Sequence, residues 1–252
     1  VVAAVSKAGG MGVLGAVGLS PEKLEIELNW IDEHVDGKPY GVDVLVPNSY
    51  VGKGENLTTD DLRAMIPQEH REFRADVLEK HDIEANDLRS DADSQRTEQN
   101  SNQVLGAGLD GAKEVLEVAF SHPIGLVANA LGVPPKWMLD MGKKHNVPVA
   151  ALIGAKQHAV KQVEAGVDII VVSGTEGGGH CGSVSTMVLV PEVRRALKPY
   201  GDVPILAAGG ICTGEQMAGV MAMGADGVWC ASVFLPTTEA ETSDNVKEKM
   251  IA

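Results

Sequence analysis

Aromatic side chains are scarce in this chain: three Trp, three Tyr and three Phe among 252 residues, or 4%. A core with so few rings must be aliphatic, which argues against sandwich folds built on aromatic and β-branched strand residues. Basic residues are in deficit as well. Lys and Arg number 21 against 35 Asp and Glu, a formal net charge of −14. Such a chain has no basic face with which to displace phosphate counterions, so nucleic acid is not an expected partner. Long apolar runs are missing. The longest, Val147 to Ala155, is strand length, well short of the roughly 18–20 residues that span a bilayer, so no membrane partner is expected. Only three cysteines occur, Cys181, Cys212 and Cys230, without CxxC spacing. That fits a reducing, cytoplasmic setting and offers no zinc site. The opening residues Val1 and Val2 show neither an initiator Met nor the charged start of a signal peptide, so the chain is expected to be part of a longer gene product.

What the chain has is glycine, 29 residues of it, and an ordinary soluble mix of 44% apolar and 22% charged residues. The apolar residues form short continuous runs rather than alternating ones, as strands buried on both faces of a parallel sheet do. Seven such runs stand near residues 13, 41, 125, 148, 169, 204 and 228. Amphipathic stretches lie between them. Ser20-Pro21 is a helix start, with Leu24, Leu28, Ile31 and Val35 on its 3.6-residue stripe. Helices are also predicted at 109–121, 134–145, 155–165 and 191–197, and from the capping-box pair Thr213 and Gln216. The last strand is predicted over 228–235. The junctions Ala165-Gly166-Val167-Asp168 and Met223-Gly224-Ala225-Asp226 repeat one helix-to-strand pattern, with Gly where a helix ends in a left-handed residue. Repeated βα units of this kind give either a doubly wound sheet or a closed barrel.

One segment breaks the rhythm. Between Gln68 and Glu98 there are ten acidic and five basic residues. Residues 96–103 are rich in Gln, Asn and Ser. The segment 48–103 reads as a polar, charged insertion or lid, or equally as a solvated linker, within a single domain 1–252.

Chemistry concentrates at three strand ends. Gly174-Thr175-Glu176-Gly177-Gly178-Gly179-His180-Cys181-Gly182 follows the fifth apolar run. Its glycines let backbone approach a flat or anionic ligand, and His180 is a general-base candidate because histidine as a residue type titrates near neutrality. The bland reading is a glycine turn with an exposed histidine. Ala207-Ala208-Gly209-Gly210-Ile211-Cys212-Thr213-Gly214 ends the sixth run ahead of a capped helix, where the N–H groups of Gly209 and Gly210 suit a phosphate. Val228-Trp229-Cys230-Ala231-Ser232 ends the seventh. The loops after the last two strands form the phosphate site of many (β/α)₈ enzymes. Asp43 and Asn129, also at strand ends, are candidate ligand contacts beside a plain hydrogen-bonding role. Cys181 is a poor nucleophile partner for His180, since adjacent side chains diverge. The other six histidines lack metal-ligand spacing, and no G-x-G-x-x-G follows the first strand.

Lys7 to Gly15, the GTEGGGHCG loop with Ser185-Thr186 behind it, the AAGGICTG turn and the MGADGVWCAS strand together resemble the nitronate monooxygenase family, also called 2-nitropropane dioxygenases. The resemblance implies an α/β fold, a (β/α)₈ TIM barrel, binding FMN without a covalent link. It implies oxidation of alkyl nitronates, with O₂ as partner substrate, to nitrite and a carbonyl compound. His180 matches the active-site histidine, which is the base where a neutral nitroalkane is the substrate and otherwise helps hold the anionic nitronate. Gly178 and Gly179 match positions near the flavin, and Gly209 and Gly210 match one half of its phosphate site. Ala231 and Ser232 stand where the family usually has Gly-Thr, and backbone donors and a hydroxyl survive the change. Ser173 replaces a frequent Gln beside the flavin ring, and Gly177 replaces Ala. The barrel's first strand has no counterpart, since the chain opens on the expected first helix, Val1 to Ala8. Most of the last helix is missing, and the insertion follows what is the third strand of a full barrel. The flavin-dependent enoyl-acyl carrier protein reductases, which use NAD(P)H, share the glycine–histidine loop and are the alternative. A barrel related to IMP dehydrogenase, with Cys181 attacking a purine, fits the His-Cys-Gly context poorly. A truncated, non-catalytic barrel that binds a phosphorylated ligand is the alternative of another class. Homo-oligomerisation stays open.

Overall fold

In the computed structural model of the chain, residues 1–46, 61, 64–83 and 109–252 are described. Seven strands form one sheet: β1 (Gly12–Gly15), β2 (Tyr40–Val44), β3 (Leu126–Asn129), β4 (Val149–Ile153), β5 (Ile169–Ser173), β6 (Ile205–Ala208) and β7 (Gly227–Trp229). Every neighbouring pair is parallel and the spatial order is the chain order, β1 through β7. A doubly wound sheet reverses its order at a switch point. A sheet laid down in sequence with right-handed crossovers keeps its helices on one face and curls, as in a barrel. The choice left open by composition is thus made by topology. Among the described residues β1 and β7 each pair on one side only, in accord with the strand count.

The helices are α1 (Val2–Lys7), α2 (Pro21–His34), α3 (Gln68–Lys80), α4 (Leu109–Ser121), α5 (Lys136–His145), α6 (Lys156–Ala165), α7 (Thr186–Leu197), α8 (Gly214–Ala222) and α9 (Asp244–Ile251). Ser20 caps α2 by accepting from the Lys23 N–H at 3.3 Å, and Pro21 opens the helix as expected. Its stripe, Leu24, Leu28 and Ile31, is buried against the sheet, each side chain contributing about 1.5–3 kcal/mol of transfer free energy. Thr213 and Gln216 form the expected capping box on α8.

Two predicted elements differ. Helix α7 begins at Thr186, five residues before Pro191. Ser185 takes extended backbone as its cap, and Leu189, Val190, Val193 and Leu197 bury one stripe that outweighs the hydrogen bond missing at Pro191. Strand β7 stops at Trp229, not Leu235. The N–H groups of Phe234 and Leu235 turn back to the carbonyls of Ala231 and Ser232, so 232–234 is a tight 3₁₀ turn. The expected insertion 48–103 lies largely outside the described residues. Within it, α3 has no buried side chain.

The repeated Gly-x-Asp junctions have a structural cause. Gly166 and Gly224 hold positive φ of 97° and 111°. The aspartates two residues on, Asp168 and Asp226, accept from the Val149 and Ile205 N–H groups at 2.8 Å. Each carboxylate thus satisfies the first N–H of the neighbouring strand.

The sheet's two faces bury different clusters. Val42, Val44, Val127, Val149, Ala151, Ile170, Val172, Ile205 and Ala207 pack with the helices. Leu126, Ala128, Ala150, Val171 and Ala208, with Val13, Leu152 and Trp229, form a second, smaller cluster. Side chains alternate along a strand, so the second cluster marks the inner face of the curl.

Candidate functional site

The loops that carry the candidate residues all leave the carboxyl ends of strands, the end that bears the active site in barrel folds. Ser173 and Ala208 are register partners, as are Ala208 and Trp229, so β5, β6 and β7 end level with one another. Ser173 alternates with Val171 and therefore lies on the inner face.

The glycine–histidine loop is held at both feet. At the first, the Gly174 N–H donates to Ala208 O at 3.1 Å and the Thr175 N–H to Val184 O at 2.9 Å. At the second, Gly182 lies directly on Gly154 at the end of β4: a Cβ on Gly154 would come within 2.8 Å of the Gly182 nitrogen. His180 lies on the exposed span between these feet. No hydrogen bond or ion pair among the described residues restrains its ring. Cys181 has its sulfur 3.6 Å from Thr175 O, turned back into the loop.

The loop is also folded onto its neighbours. A methyl group built on Gly177 would stand 3.1 Å from Ser173 Oγ and 3.7 Å from Gly209 Cα. One on Gly178 would stand 3.1 Å from Ser232 Oγ. Ser173, Gly178, Gly209 and Ser232, four candidates from three strand ends, are thus brought together. Gly179, Gly210, Ala231 and His180 flank them on the same loops, exposed to solvent. Gly209 and Gly210 have φ of 96° and 72°, a left-handed pair that only glycine adopts without strain. The N–H groups of Gly209, Gly210, Ala231 and Ser232 donate to no protein acceptor among the described residues. Successive free N–H groups beside a helix start are a ready anion cradle.

Two residues that hold this arrangement escaped the sequence reading. The Thr186 N–H donates to Glu176 Oε2 at 2.8 Å, placing a carboxylate on the N-terminus of α7. That bond, followed by Glu176's own backbone N–H, holds its carboxyl below the usual carboxylate range. Thr186 Oγ1 has Glu176 Oε2 at 3.0 Å, Gly209 O at 2.9 Å and Ala208 O at 3.2 Å. Its single proton goes to one of them at a time, so the buried hydroxyl ties the loop after β5 to the one after β6. The signal was present in Glu176 and in Ser185-Thr186, both inside the quoted motif but without an obvious role. Asn129, a candidate ligand contact, is fully buried on the helix-facing side. Its Oδ1 accepts from the Val46 N–H at 2.8 Å, and its Nδ2 donates to Leu131 O and Gly132 O. It shapes the chain after β3 and β2 and does not lie on the inner face of the sheet. Asp43 does face inward.

Among the described residues no group of His, Cys, Asp and Glu could hold a metal ion, no disulfide forms, and no helix is long and apolar enough to cross a membrane.

Comparisons agree with this geometry. The family model of nitronate monooxygenase matches residues 1–252. The chain is 51% identical to Rv1533 of Mycobacterium tuberculosis, provisionally named a monooxygenase, over 100% of this chain and 65% of that protein. It is 25% identical to a probable nitronate monooxygenase of Staphylococcus saprophyticus, over 98% of this chain and 64% of the relative. Nitroalkane oxidase from Streptomyces ansochromogenes superposes on all of the chain with a TM-score of 0.74 at 25% identity, using 66% of its own length. The chain therefore spans about 65% of the length of the curated relatives it matches. A match that runs from the first residue to the last, over a curled parallel sheet whose glycine loops meet at one end, makes this chain a member of the nitronate monooxygenase family.

Proposed function

We propose that the protein is a flavin-dependent oxidoreductase that converts alkyl nitronates with O₂ to a carbonyl compound and nitrite. The observation that carries this reading is the meeting of the loops after β5, β6 and β7, the first of which presents His180. FMN, when bound, supplies the electron transfer and the reaction with oxygen, which no protein side chain provides.

The residues fit such a group. The free N–H groups of Gly209, Gly210, Ala231 and Ser232, next to the capped start of α8, suit its phosphate. Gly178 and Gly179 would offer bare backbone to its ring, and the inner-facing Ser173 would offer a hydroxyl. Chain residues do the rest. His180 takes the proton from a neutral nitroalkane or holds the oxygen of an anionic nitronate.

The first test is spectroscopic. Purified protein mixed with FMN should develop a bound-flavin visible spectrum, and nitronate should then drive oxygen uptake with release of nitrite. A protein that carries no flavin absorbance once unbound FMN has been removed by gel filtration overturns the reading. For His180→Ala, turnover of a nitroalkane should fall roughly 10²–10⁴-fold, the usual worth of a general base. Turnover of the preformed nitronate should fall less. Equal nitroalkane rates for variant and wild type would remove His180 as the base.

A further inference from the structure

Two of the three cysteines flank the anion cradle, one on each of its loops. Strands β6 and β7 end level, at Ala208 and Trp229. From Ala208 the chain runs through Gly209 and Gly210 to Ile211 and Cys212, and from Trp229 through Cys230 to Ala231 and Ser232. Cys230 is half-buried, and its Sγ lies 3.4 Å from Ile211 O. That oxygen belongs to the peptide joining Ile211 to Cys212, about 3 Å from the Cys212 Cα. The Cys230 sulfur is therefore within about 6 Å of that Cα, close enough for side-chain rotation and a small shift of the loop to join the two residues. The thiols also interact electrostatically. Burial first, and the negative charge of Cys212 second, push the Cys230 thiol above its ordinary range. Cys230 and Ile211 pack in the helix-side cluster, whereas Trp229 belongs to the inner one. The contact thus stands behind the cradle, away from the inner face. Cys212 is exposed, so an oxidant in solvent reaches it. Cys181, by contrast, turns back to Thr175 O in its own loop.

We propose that Cys212 and Cys230 are a redox modification site, forming a reversible disulfide that locks the loops after β6 and β7 together behind the anion cradle. The bond itself needs only the two thiols; that the cradle holds FMN rests on the proposed function. The oxidant is a hydroperoxide. Hydrogen peroxide gives one oxygen atom to the exposed Cys212 sulfur, which becomes a sulfenic acid while water leaves. The Cys230 thiol then loses its proton to solvent and its sulfur attacks the Cys212 sulfur. The S–O bond breaks, and the departing hydroxide takes up a proton as water. Two thiols and one peroxide thus give one disulfide and two waters, with two electrons passing from sulfur to peroxide. A dithiol reverses the step, as expected of a disulfide in a reducing setting. The consequence is mechanical. The free N–H groups of the cradle come in two pairs, Gly209 and Gly210 on one loop and Ala231 and Ser232 on the other. In the reduced protein the sulfur between these loops makes only a weak thiol–carbonyl bond. A covalent link opposes the parting of the two pairs through which a bound phosphate would leave.

The test uses the FMN-loaded protein with Cys181→Ser as background, so that only the two thiols in question remain. After hydrogen peroxide, the intact mass measured without reductant should fall by two hydrogens. Proteolysis should then release one linked pair of peptides, carrying Cys212 and Cys230, which dithiothreitol separates. FMN release, followed by the return of free-flavin fluorescence on dilution, should be severalfold slower in the oxidised protein and recover with dithiothreitol. With Cys230→Ser added, peroxide should produce no link and should not slow release. Cys212 carried on to sulfinic acid with no link overturns the proposal, as does a link between two copies of the chain. A link that forms within the chain but leaves FMN release unchanged overturns the lock on the cradle. The two readings fail separately. If the protein takes up no FMN and the link still forms, the proposed function falls and the disulfide stands.

Discussion

Replacing Thr186 by Val probes whether one hydroxyl couples the two loops of the site. The substitution keeps the shape of a buried side chain and removes only the group within reach of Glu176 Oε2, Gly209 O and Ala208 O. Ala208 O keeps its bond from the Gly174 N–H and Glu176 keeps its bond from the Thr186 N–H. Gly209 O is left without a donor among the described residues, next to a new methyl. Losing one such bond, with a buried acceptor left over, costs about 1–3 kcal/mol. In a domain of this size each kcal/mol is worth about 2–4 °C, so Tm should fall by roughly 2–12 °C. The control is Thr186→Ser, which keeps the hydroxyl and gives up a methyl worth about 0.8 kcal/mol. Urea unfolding of the three proteins orders them, and Ser should lie above Val. If Val matches or exceeds Ser in stability, the hydroxyl is not a coupling element and the argument for it fails.

The remaining predictions concern other parts of the barrel. His122 sits with Nδ1 2.7 Å from Asp32 Oδ2 and Nε2 3.2 Å from Glu25 Oε2. Burial pulls its pKa down, but the hydrogen bonds and charges of Asp32 and Glu25 leave it above the ordinary 6.5. A raised folded pKa means that its contribution is full below the unfolded value and is lost as pH rises through the folded one. The urea-midpoint gap between wild type and His122→Gln should therefore narrow as pH rises above the ordinary histidine value of 6.5, and a gap that widens refutes the assignment. Glycines should separate by surroundings. A Cβ on Gly174 collides with the backbone and hydroxyl of Thr186, so Gly174→Ala should destabilise by about 1–3 kcal/mol. At Gly219, inside α8 with nothing near its missing side chain among the described residues, Ala should stabilise the protein by about 0.5–1 kcal/mol. Thermal melts of the pair test both signs, and equal shifts would discredit the steric reading.

Much of this was legible in the chain. Continuous aliphatic runs marked every strand, because parallel strands covered on both faces have no polar side to interrupt them. Ser20-Pro21 and Thr213–Gln216 marked helix starts, since capping is local chemistry between residues three apart. The start of α7 was missed because a mid-helix Pro191 outranks a buried stripe in any local reading, and the stripe is known to be buried only once the sheet exists. The overrun of β7 has the same origin: Val233, Phe234 and Leu235 are apolar enough for a strand, and only a tertiary turn removes them. In the site, the glycines and His180 were visible as a motif. The partners Glu176 and Thr186 were not, because their bond joins residues ten apart across a loop. Asp43 and Asn129 looked alike as polar strand ends. A shift of one position along the register sends one into the curl and the other under the helices.

The consecutive strand order also bears on how the chain assembles. Each strand finds its place against the one made just before it, so most of the sheet can grow from amino to carboxyl end with short closures. One step is different. Gly15 meets Asp43 across 28 residues, whereas Asp43 meets Ala128 across 85. A threefold longer closure adds about 1 kcal/mol of entropy in the unfolded chain. The joining of β2 to β3 is therefore the topological bottleneck, and it divides the sheet into an early pair and a five-stranded block that can form independently of it.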